Sequence, residues 1–474
     1  MLAKDKISQL VESKKDLFSA VSDKVWETPE LGFLEYKSSA TLIEALKAQG
    51  FEVETGLGGI DTAFKGTFGS GKPAIGFLGE FDALPSLSQK AACGVKTPLV
   101  QGGSGHGCGH NALGAGSLAA AVALKDYLTE NNLPGTVVYF GCPGEEAGCG
   151  KTFMAREGAF SCVDVALTWH PGSNNGIMGT SSLANICVLF KFKGVASHAA
   201  ASPHLGRSAL DAAELMNVGV NFLREHIIES ARIHYAFQDV GGGAPNVVQD
   251  SATLFYYIRA PKIEQVMEIY PRVIKVAEGA AHMTETTLTV EVKNALSDYI
   301  PNDVLSALMG ECSLEMGGFE FSQEAKKVGD EIYASLTEND IKGGISGLGA
   351  IANPLEIPAL AAQKLLGQAF PYRRLPVCMP GSTDVGDVSY VVPTAQMTAA
   401  TAVIGTPGHS WQQTAQSGSV IAHEGLNYAA KVMALTAVKL VENPQLIEKA
   451  KAELLSVTGG VYNCPIPKEV KPAP

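Results

Sequence analysis

The sequence has no long uninterrupted apolar run. A helix that spans a bilayer needs about 20 consecutive apolar residues, and no segment approaches that length although 46% of the 474 residues are hydrophobic. Residues 1–19 alternate in charge and contain no apolar segment, so we expect no signal peptide. The sequence therefore predicts a globular protein that does not enter a membrane.

The chain has fewer basic than acidic residues. The chain has 36 Lys and Arg against 48 Asp and Glu, a net charge of −12 at pH 7. Proteins that bind nucleic acids or anionic membranes neutralise phosphates with Lys and Arg, so this balance argues against both as partners. The simplest interpretation of the acidic excess is solubility.

The cysteines show no disulfide pattern. There are nine, an odd number, spread from Cys93 to Cys464. Small secreted proteins that depend on disulfides have an even number of cysteines in a much shorter chain. We therefore predict free thiols and a cytoplasmic location, and expect every cysteine except Cys108 to be inert.

The length exceeds what one compact core can hold, so we expect two domains or one domain with an insertion. Strands and helices alternate up to residue 183, which is typical of a layered α/β domain with functional groups at strand ends. From Asn185 the predicted order is β-α-β-β-α-β, that of a ferredoxin-like unit. Because the C-terminal part returns to the α/β pattern, we predict one domain from residues 1–183 and 298–474, with residues 184–297 inserted.

Two regions give a weaker secondary-structure signal. Apolar residues recur at helical spacing through residues 4–27, which predicts one amphipathic helix there. Residues 312–380 contain many Gly and Pro, and no element is assigned to them.

Three segments at predicted strand ends or helix starts carry metal-ligating residue types. They are Gly107–Asn111, Gly144–Glu146 and Trp169–Pro171. A thiol, imidazoles and carboxylates together suit a divalent metal such as zinc or manganese. Two adjacent carboxylates also allow one to bind metal while the other acts as a base. This combination indicates a metal-dependent hydrolase.

Two other functions remain open from these residues. Cys108 could be the nucleophile of a thiol hydrolase with His110 as its base, but the paired glutamates would then have no role. The chain could also be a non-catalytic binding or partner subunit.

Together these motifs resemble the M20 family of co-catalytic metallopeptidases, in the amidohydrolase branch whose metal loop reads Cys-Gly-His. The similarity extends over nearly the whole chain, and Asn111 stands where the branch usually has Asp. It rests on Trp26–Gly32, Asp82–Pro85, Cys108 and His110, Glu145 and Glu146, His170 and Pro171, Gly194–Ala199, Asn246, Arg259, Ser382–Asp387, and Gly408 and His409.

The resemblance implies a metallopeptidase fold, in which a layered mixed-sheet catalytic domain carries an inserted ferredoxin-like lid and dimerisation domain. It implies two Zn or Mn ions per subunit, held by Cys108, His110, Glu146, His170 and His409. Asp82 is expected to orient a ligand rather than to bind metal itself.

The resemblance also assigns the remaining site residues. Glu145 is the expected general base, and His198 is expected to polarise the scissile carbonyl, often from the partner subunit. Asn246 and Arg259 are expected to bind the free carboxylate of the substrate.

The implied activity is hydrolysis of the amide bond of a small N-acyl amino acid. p-Aminobenzoyl-glutamate is the leading substrate, and other N-acyl amino acids or dipeptides are the alternatives. A homodimer is expected, or a heterodimer with a related subunit.

Overall fold

The computed structural model describes residues 2–146 and 148–473. Its helices are α1 (Ala3–Glu12), α2 (Lys15–Trp26), α3 (Tyr36–Ala48), α4 (His110–Glu130), α5 (Gly150–Arg156), α6 (Ala209–Leu223), α7 (Ile263–Thr284), α8 (Asp303–Met316), α9 (Gln323–Tyr333), α10 (Glu338–Gly347), α11 (Ile357–Ala361), α12 (Val385–Val391), α13 (Trp411–Ser417), α14 (Val420–Glu442) and α15 (Gln445–Thr458). Its strands are β1 (Glu52–Thr55), β2 (Phe64–Ser70), β3 (Ala74–Glu80), β4 (Gly135–Cys142), β5 (Val165–Gly172), β6 (Ser181–Ser182), β7 (Ala184–Lys193), β8 (Arg232–Asp239), β9 (Ser251–Ala260), β10 (Thr287–Leu296), β11 (Cys378–Met379) and β12 (Thr394–Ala400).

The larger sheet has six strands in the order β1-β2-β4-β3-β5-β12. Strands β4, β3, β5 and β12 run parallel, while β1 and β2 add an antiparallel edge. Parallel strands need both faces covered, and strand β3 is buried along its whole length. Helices α4 and α14 pack together on one face. The mixed α/β sheet predicted from the sequence is therefore confirmed.

The smaller sheet has the order β10-β7-β9-β8, and every neighbouring pair is antiparallel. Helices α6 and α7 connect its strands and pack against the same sheet. The chain order is β-α-β-β-α-β, as the sequence predicts. Along strand β9, buried and half-buried residues alternate, because one face of the smaller sheet packs against the helices and the other face does not.

The structure corrects one predicted helix and supplies the elements of one unassigned region. The single helix predicted over residues 4–27 is wrong, because Lys14 leaves the helical conformation and separates α1 from α2. Residues 312–380, which the sequence left unassigned, contain part of α8, then α9, α10 and α11, and strand β11. These short helices bury two small apolar clusters of their own.

Within the described part of the chain, no helix is both long enough and apolar enough to cross a membrane.

Candidate metal centre and active site

The predicted ligands meet at one edge of the larger sheet, where its parallel strands end. Strand β3 ends at Glu80, two residues before Asp82, and Glu145 and Glu146 follow the end of β4. His170 lies near the end of β5. Since the carboxyl ends of parallel strands share one edge, residues far apart in sequence come together there.

The loop before α4 is shaped by a glycine. Gly109 has φ of 82°, in the left-handed region, and a Cβ at this position would lie 2.9 Å from the side chain of Pro171. Only glycine tolerates both conditions. The Cys-Gly-His spacing therefore lets the loop pass close to β5, so that Cys108 faces His170 while His110 begins α4.

Five predicted ligands form two groups that share Cys108. Cys108, His110 and His170 make one group, and Cys108, Glu146 and His409 make the other; within each, the candidate ligand atoms all lie within 4.8 Å of one another. Cys108 Sγ is 3.3 Å from His170 Nε2, and His409 Nε2 is 3.3 Å from Glu146 Oε2. His409 itself has φ of 54°, an uncommon conformation for a residue other than glycine.

Hydrogen bonds orient the buried imidazole of His110 and the half-buried imidazole of His170. Asp82 Oδ1 is 2.8 Å from His110 Nδ1, and the Pro171 carbonyl oxygen is 2.8 Å from His170 Nδ1. An N–H at Nδ1 that donates to oxygen leaves Nε2 with a lone pair for a metal. The backbone N–H of Glu146 donates to the other oxygen of Asp82 at 2.9 Å. Asp82 thus ties two ligand segments together, as expected of an orienting carboxylate.

The ligand types and one unpaired oxygen of this cluster suit a divalent metal ion. A thiolate, imidazoles and a carboxylate are the ligands that zinc prefers. Glu146 Oε1 is buried and has no hydrogen-bond partner among the described residues, which is costly unless something binds it. The residues present therefore fit a metal centre.

A buried charge network behind this cluster was not anticipated from the sequence. Lys151 Nζ lies 2.6 Å from Glu80 Oε1 and 2.5 Å from Asp384 Oδ1, and all three residues are buried. Glu80 Oε2 lies 3.2 Å from His110 Nε2. Glu80, His110 and Glu145 also form a third group of potential ligands. Few features of the sequence indicate this network: Asp384 lies inside a motif that carries the family resemblance, and Glu80 lies just before another.

The surroundings of Glu145 and Cys108 raise the pKa of both side chains. Burial is the main cause that raises the pKa of Glu145 well above its ordinary value, and the nearby Glu80 carboxylate is the second. Burial likewise raises the pKa of the Cys108 thiol. A cysteine that acts as a nucleophile needs a lowered pKa, so these surroundings argue against the thiol hydrolase.

A cavity of about 440 Å³ opens beside the cluster and lies between the two sheets. Cys108, Glu145, Glu146, His170 and His409 line one side. The other side is the helix-free face of the smaller sheet, where Arg259 lies. Arg259 Nε is buried and has no hydrogen-bond partner in the described ranges, and its guanidinium lies 5.4 Å from the centre of the Tyr257 ring.

His198 and Asn246 do not line this cavity. Both side chains are exposed, on neighbouring segments of the small-sheet unit that are joined by a hydrogen bond from the Ala199 N–H to the Asn246 carbonyl (2.9 Å). Asn246 therefore does not line the cavity beside Arg259 of its own chain, although the family resemblance assigned both residues to the substrate carboxylate.

Comparison with known proteins identifies the family. The model of peptidase family M20/M25/M40 matches residues 76–439. A subunit of the p-aminobenzoyl-glutamate hydrolase of Escherichia coli (strain K12) is 45% identical over 472 residues, which cover 99% of this chain and 98% of that protein. The chain belongs to peptidase family M20/M25/M40. It is therefore an M20 hydrolase, as the motifs predicted.

More distant relatives share the fold. The Xaa-Arg dipeptidase of Mus musculus is 28% identical over 95% of this chain and 92% of its own length. A dinuclear metal-binding M20 peptidase from Bacillus subtilis has a TM-score of 0.55 at 17% identity, covering 91% of this chain and 99% of that one. An aminobenzoyl-glutamate utilization protein from Klebsiella pneumoniae also has a TM-score of 0.55 at 17% identity, with coverages of 90% and 98%.

Proposed function

We propose that this M20 hydrolase cleaves the amide bond of small N-acyl amino acids, with p-aminobenzoyl-glutamate as the leading substrate. The observation that carries the proposal is the placement of two ligand groups sharing Cys108 on one side of a cavity with Arg259 on the other. Such a cavity can hold an amide at the metal centre and a carboxylate at the guanidinium. The name of the 45%-identical relative supports the choice of substrate.

The proposed metal centre consists of Cys108, His110, Glu146, His170 and His409, with Zn or Mn as the metal and two ions per chain. When bound, a divalent metal lowers the pKa of water and polarises a carbonyl group. Asp82 would keep His110 in the tautomer that offers Nε2 to the site, because it accepts a hydrogen bond at Nδ1.

Glu145 is the proposed general base. Its side chain lines the cavity and belongs to neither of the two groups that share Cys108. In the proposed reaction, it accepts a proton from the water that attacks the amide carbon. As the carbon–nitrogen bond breaks, Glu145 returns the proton to the leaving amine, so that a carboxylic acid and a free amino acid are formed.

Arg259 is the proposed binding group for the free α-carboxylate of the amino acid. A buried guanidinium N–H without a partner favours an anionic ligand, and its fork can contact both carboxylate oxygens. No nucleic acid or membrane is part of the proposal. A cytoplasmic location fits the nine free cysteines.

A homodimer would explain the position of His198 and Asn246. The exposed face of α6 carries an apolar stripe of Leu215, Val218 and Phe222, which are 37%, 53% and 74% exposed. Strand β8 is an edge of the smaller sheet, and its own residues Tyr235 and Phe237 are exposed. A sheet edge next to an apolar helix face suits pairing with a second copy. We infer that His198 and Asn246 complete the cavity of the partner.

The first experiment identifies the substrate. Metal-loaded protein should release p-aminobenzoate from p-aminobenzoyl-glutamate, and the α-amide of that substrate should be cleaved far more slowly. Arg259→Ala should raise KM for the free acid and have little effect on the amide. Arg232→Ala is the matched control, because Arg232 lies opposite Arg259 in the β8–β9 register but does not line the cavity. If only dipeptides or other N-acyl amino acids are cleaved, the substrate assignment is wrong.

The second experiment tests the shared site. His198→Ala and Glu145→Gln homodimers should each be nearly inactive, but mixing them should restore a measurable fraction of activity after subunit exchange, because some dimers contain one intact site. His204→Ala, at another exposed histidine of the same segment, should stay active alone. No recovery despite proven exchange would contradict the shared site. If exchange fails, activity should be tested with a related subunit added.

A further inference from the structure

Three polar side chains that belong to none of the metal-ligand groups also line the cavity, and the function proposed so far gives them no role. They are Asn185, Ser382 and Gln396. Asn185 is 5% exposed and Gln396 is 3% exposed. The side-chain oxygen of each of the three is buried and has no hydrogen-bond partner within residues 2–146 and 148–473. Buried polar groups are normally paired, so three such atoms around one cavity point to a ligand.

These side chains approach the cavity from different elements. Asn185 on β7 lies directly opposite Arg259 on β9, so both point to the same face of the smaller sheet. Gln396 lies on β12 of the larger sheet, and Ser382 lies in the loop before α12. Polar groups from both sheets and a connecting loop therefore line the same cavity as the guanidinium.

The chemistry of these groups suits an anion more than a cation. The two ends of an Asn or Gln amide are interchangeable by rotation, so each side chain can present N–H donors to the cavity, and a serine hydroxyl can also donate. A carboxylate accepts several such bonds. Asn185 Nδ2 already donates to Cys187 Sγ at 3.2 Å, so it is the oxygen end of that amide that lacks a partner. A cationic group here would be repelled by Arg259, and an apolar group would leave all three side-chain oxygens without a partner.

We propose that Asn185, Ser382 and Gln396 form a subsite for the side-chain carboxylate of the leaving amino acid. This rests on the proposed function, in which Arg259 binds the α-carboxylate. The subsite selects acidic over apolar amino acids, so the substrate class narrows to N-acyl derivatives of glutamate or aspartate.

The test compares substrates that differ only in the amino-acid side chain. p-Aminobenzoyl-glutamate, -glutamine, -norvaline and -arginine should be offered to wild type, Asn185→Leu and Gln396→Met. Wild type should prefer glutamate. Each variant should lower kcat/KM for glutamate by about tenfold to a hundredfold, the loss expected for one hydrogen bond to a charged group. Their kcat/KM for norvaline should be unchanged or higher.

Controls separate a subsite from a structural role. Gln412→Met makes the same substitution at another buried glutamine that does not line the cavity, and should keep the wild-type preference. An equal loss on all four substrates, or an unchanged preference for glutamate, would overturn the proposal. So would a wild-type preference for glutamine, norvaline or arginine.

Binding measurements separate this proposal from the proposed function. In a Glu145→Gln background, calorimetry should show that Gln396→Met weakens binding of p-aminobenzoyl-glutamate but not of p-aminobenzoyl-norvaline. Selective binding without hydrolysis by wild type would support the subsite and contradict the function. Hydrolysis of N-acyl amino acids without selective binding would contradict the subsite and leave the function in place.

Discussion

Glu145 and Glu146 are adjacent in sequence but lie in different surroundings. Burial raises the pKa of both, but the nearby imidazoles of His110 and then His409 oppose this rise at Glu146. The carboxylates of Glu80 and Asp384 add to the rise at Glu145. Glu146 therefore faces imidazoles, as a carboxylate in a shared metal shell does, whereas Glu145 is placed to take up a proton.

Substitutions at the two glutamates should separate these roles. Glu145→Gln should lower kcat by about 10²- to 10⁴-fold, the usual contribution of general acid–base catalysis, while retaining most of the bound metal. Glu146→Gln should lower the metal content itself. Elemental analysis of the dialysed proteins, together with steady-state kinetics, measures both effects. Equal metal loss in the two variants would be evidence against the assignment.

The residue types of the centre could be predicted from the sequence, but their electrostatic partners could not. Cys108, His110 and His170 stand in motifs whose residue types suit metal binding. Lys151 gives no such signal, because a lysine near the start of a predicted helix normally lies on the surface. Its burial depends on Glu80 and Asp384, and Asp384 is 233 residues away in the chain.

At the level of elements, the alternation of strands and helices predicted the sheet edge where the site forms. The ends of the first two helices were harder to predict. Ile7, Val11 and Phe18 all enter the same core, so the apolar spacing continues across the break at Lys14. Residues 312–380 gave no clear periodicity because their helices are short and contact separate small clusters.

Asp164, just before β5, links the start of β3 to helix α15, so its ion pairs provide a test of how these elements pack. It accepts hydrogen bonds from the Ala74 N–H at 2.8 Å and from Nζ of Lys451 at 2.7 Å and Lys72 at 3.0 Å. Burial would raise the pKa of Asp164, but the Ala74 N–H and the two ammonium groups hold it below its ordinary value. A lowered carboxyl pKa contributes stability above the unfolded pKa, and this contribution is lost as the pH falls through the folded pKa.

We therefore expect Asp164→Asn to lower the free energy of unfolding by about 1–3 kcal/mol at pH 7. The difference in unfolding free energy between the variant and wild type should become smaller at about pH 3. At that pH the Asp164 carboxyl is mostly protonated in the unfolded chain and begins to be protonated in the folded one. Urea unfolding at both pH values measures the difference, with Asp61→Asn at an exposed position as the control. A difference that is the same at both pH values would contradict the account of the Asp164 pKa.

At the scale of the whole molecule, the active cavity depends on how the two sheets face each other. The sequence predicted an inserted β-α-β-β-α-β unit from chain order alone. It could not predict that Asn185 and Gln396 would line one cavity, since that depends on the packing of two separately formed sheets. Nor could it predict that Asn246 would lie outside the cavity of its own chain, whereas the family resemblance already allowed for His198 acting from a partner subunit.

The two ligand groups that share Cys108 are proposed to hold the metal on which hydrolysis depends. Removing Cys108 should disrupt both groups at once. Cys108→Ala should therefore bind less than one ion per chain, because each remaining group has only two ligands, and it should be inactive even with excess metal.

The most direct measurement is a metal titration of stripped wild-type protein, followed by calorimetry and by release of p-aminobenzoate from p-aminobenzoyl-glutamate. Activity should be absent without metal and should return with Zn²⁺ or Mn²⁺, reaching its maximum at two ions per chain. Full activity in protein shown to be free of metal would contradict the account, and loss of that activity on thiol alkylation would favour Cys108 as a nucleophile instead.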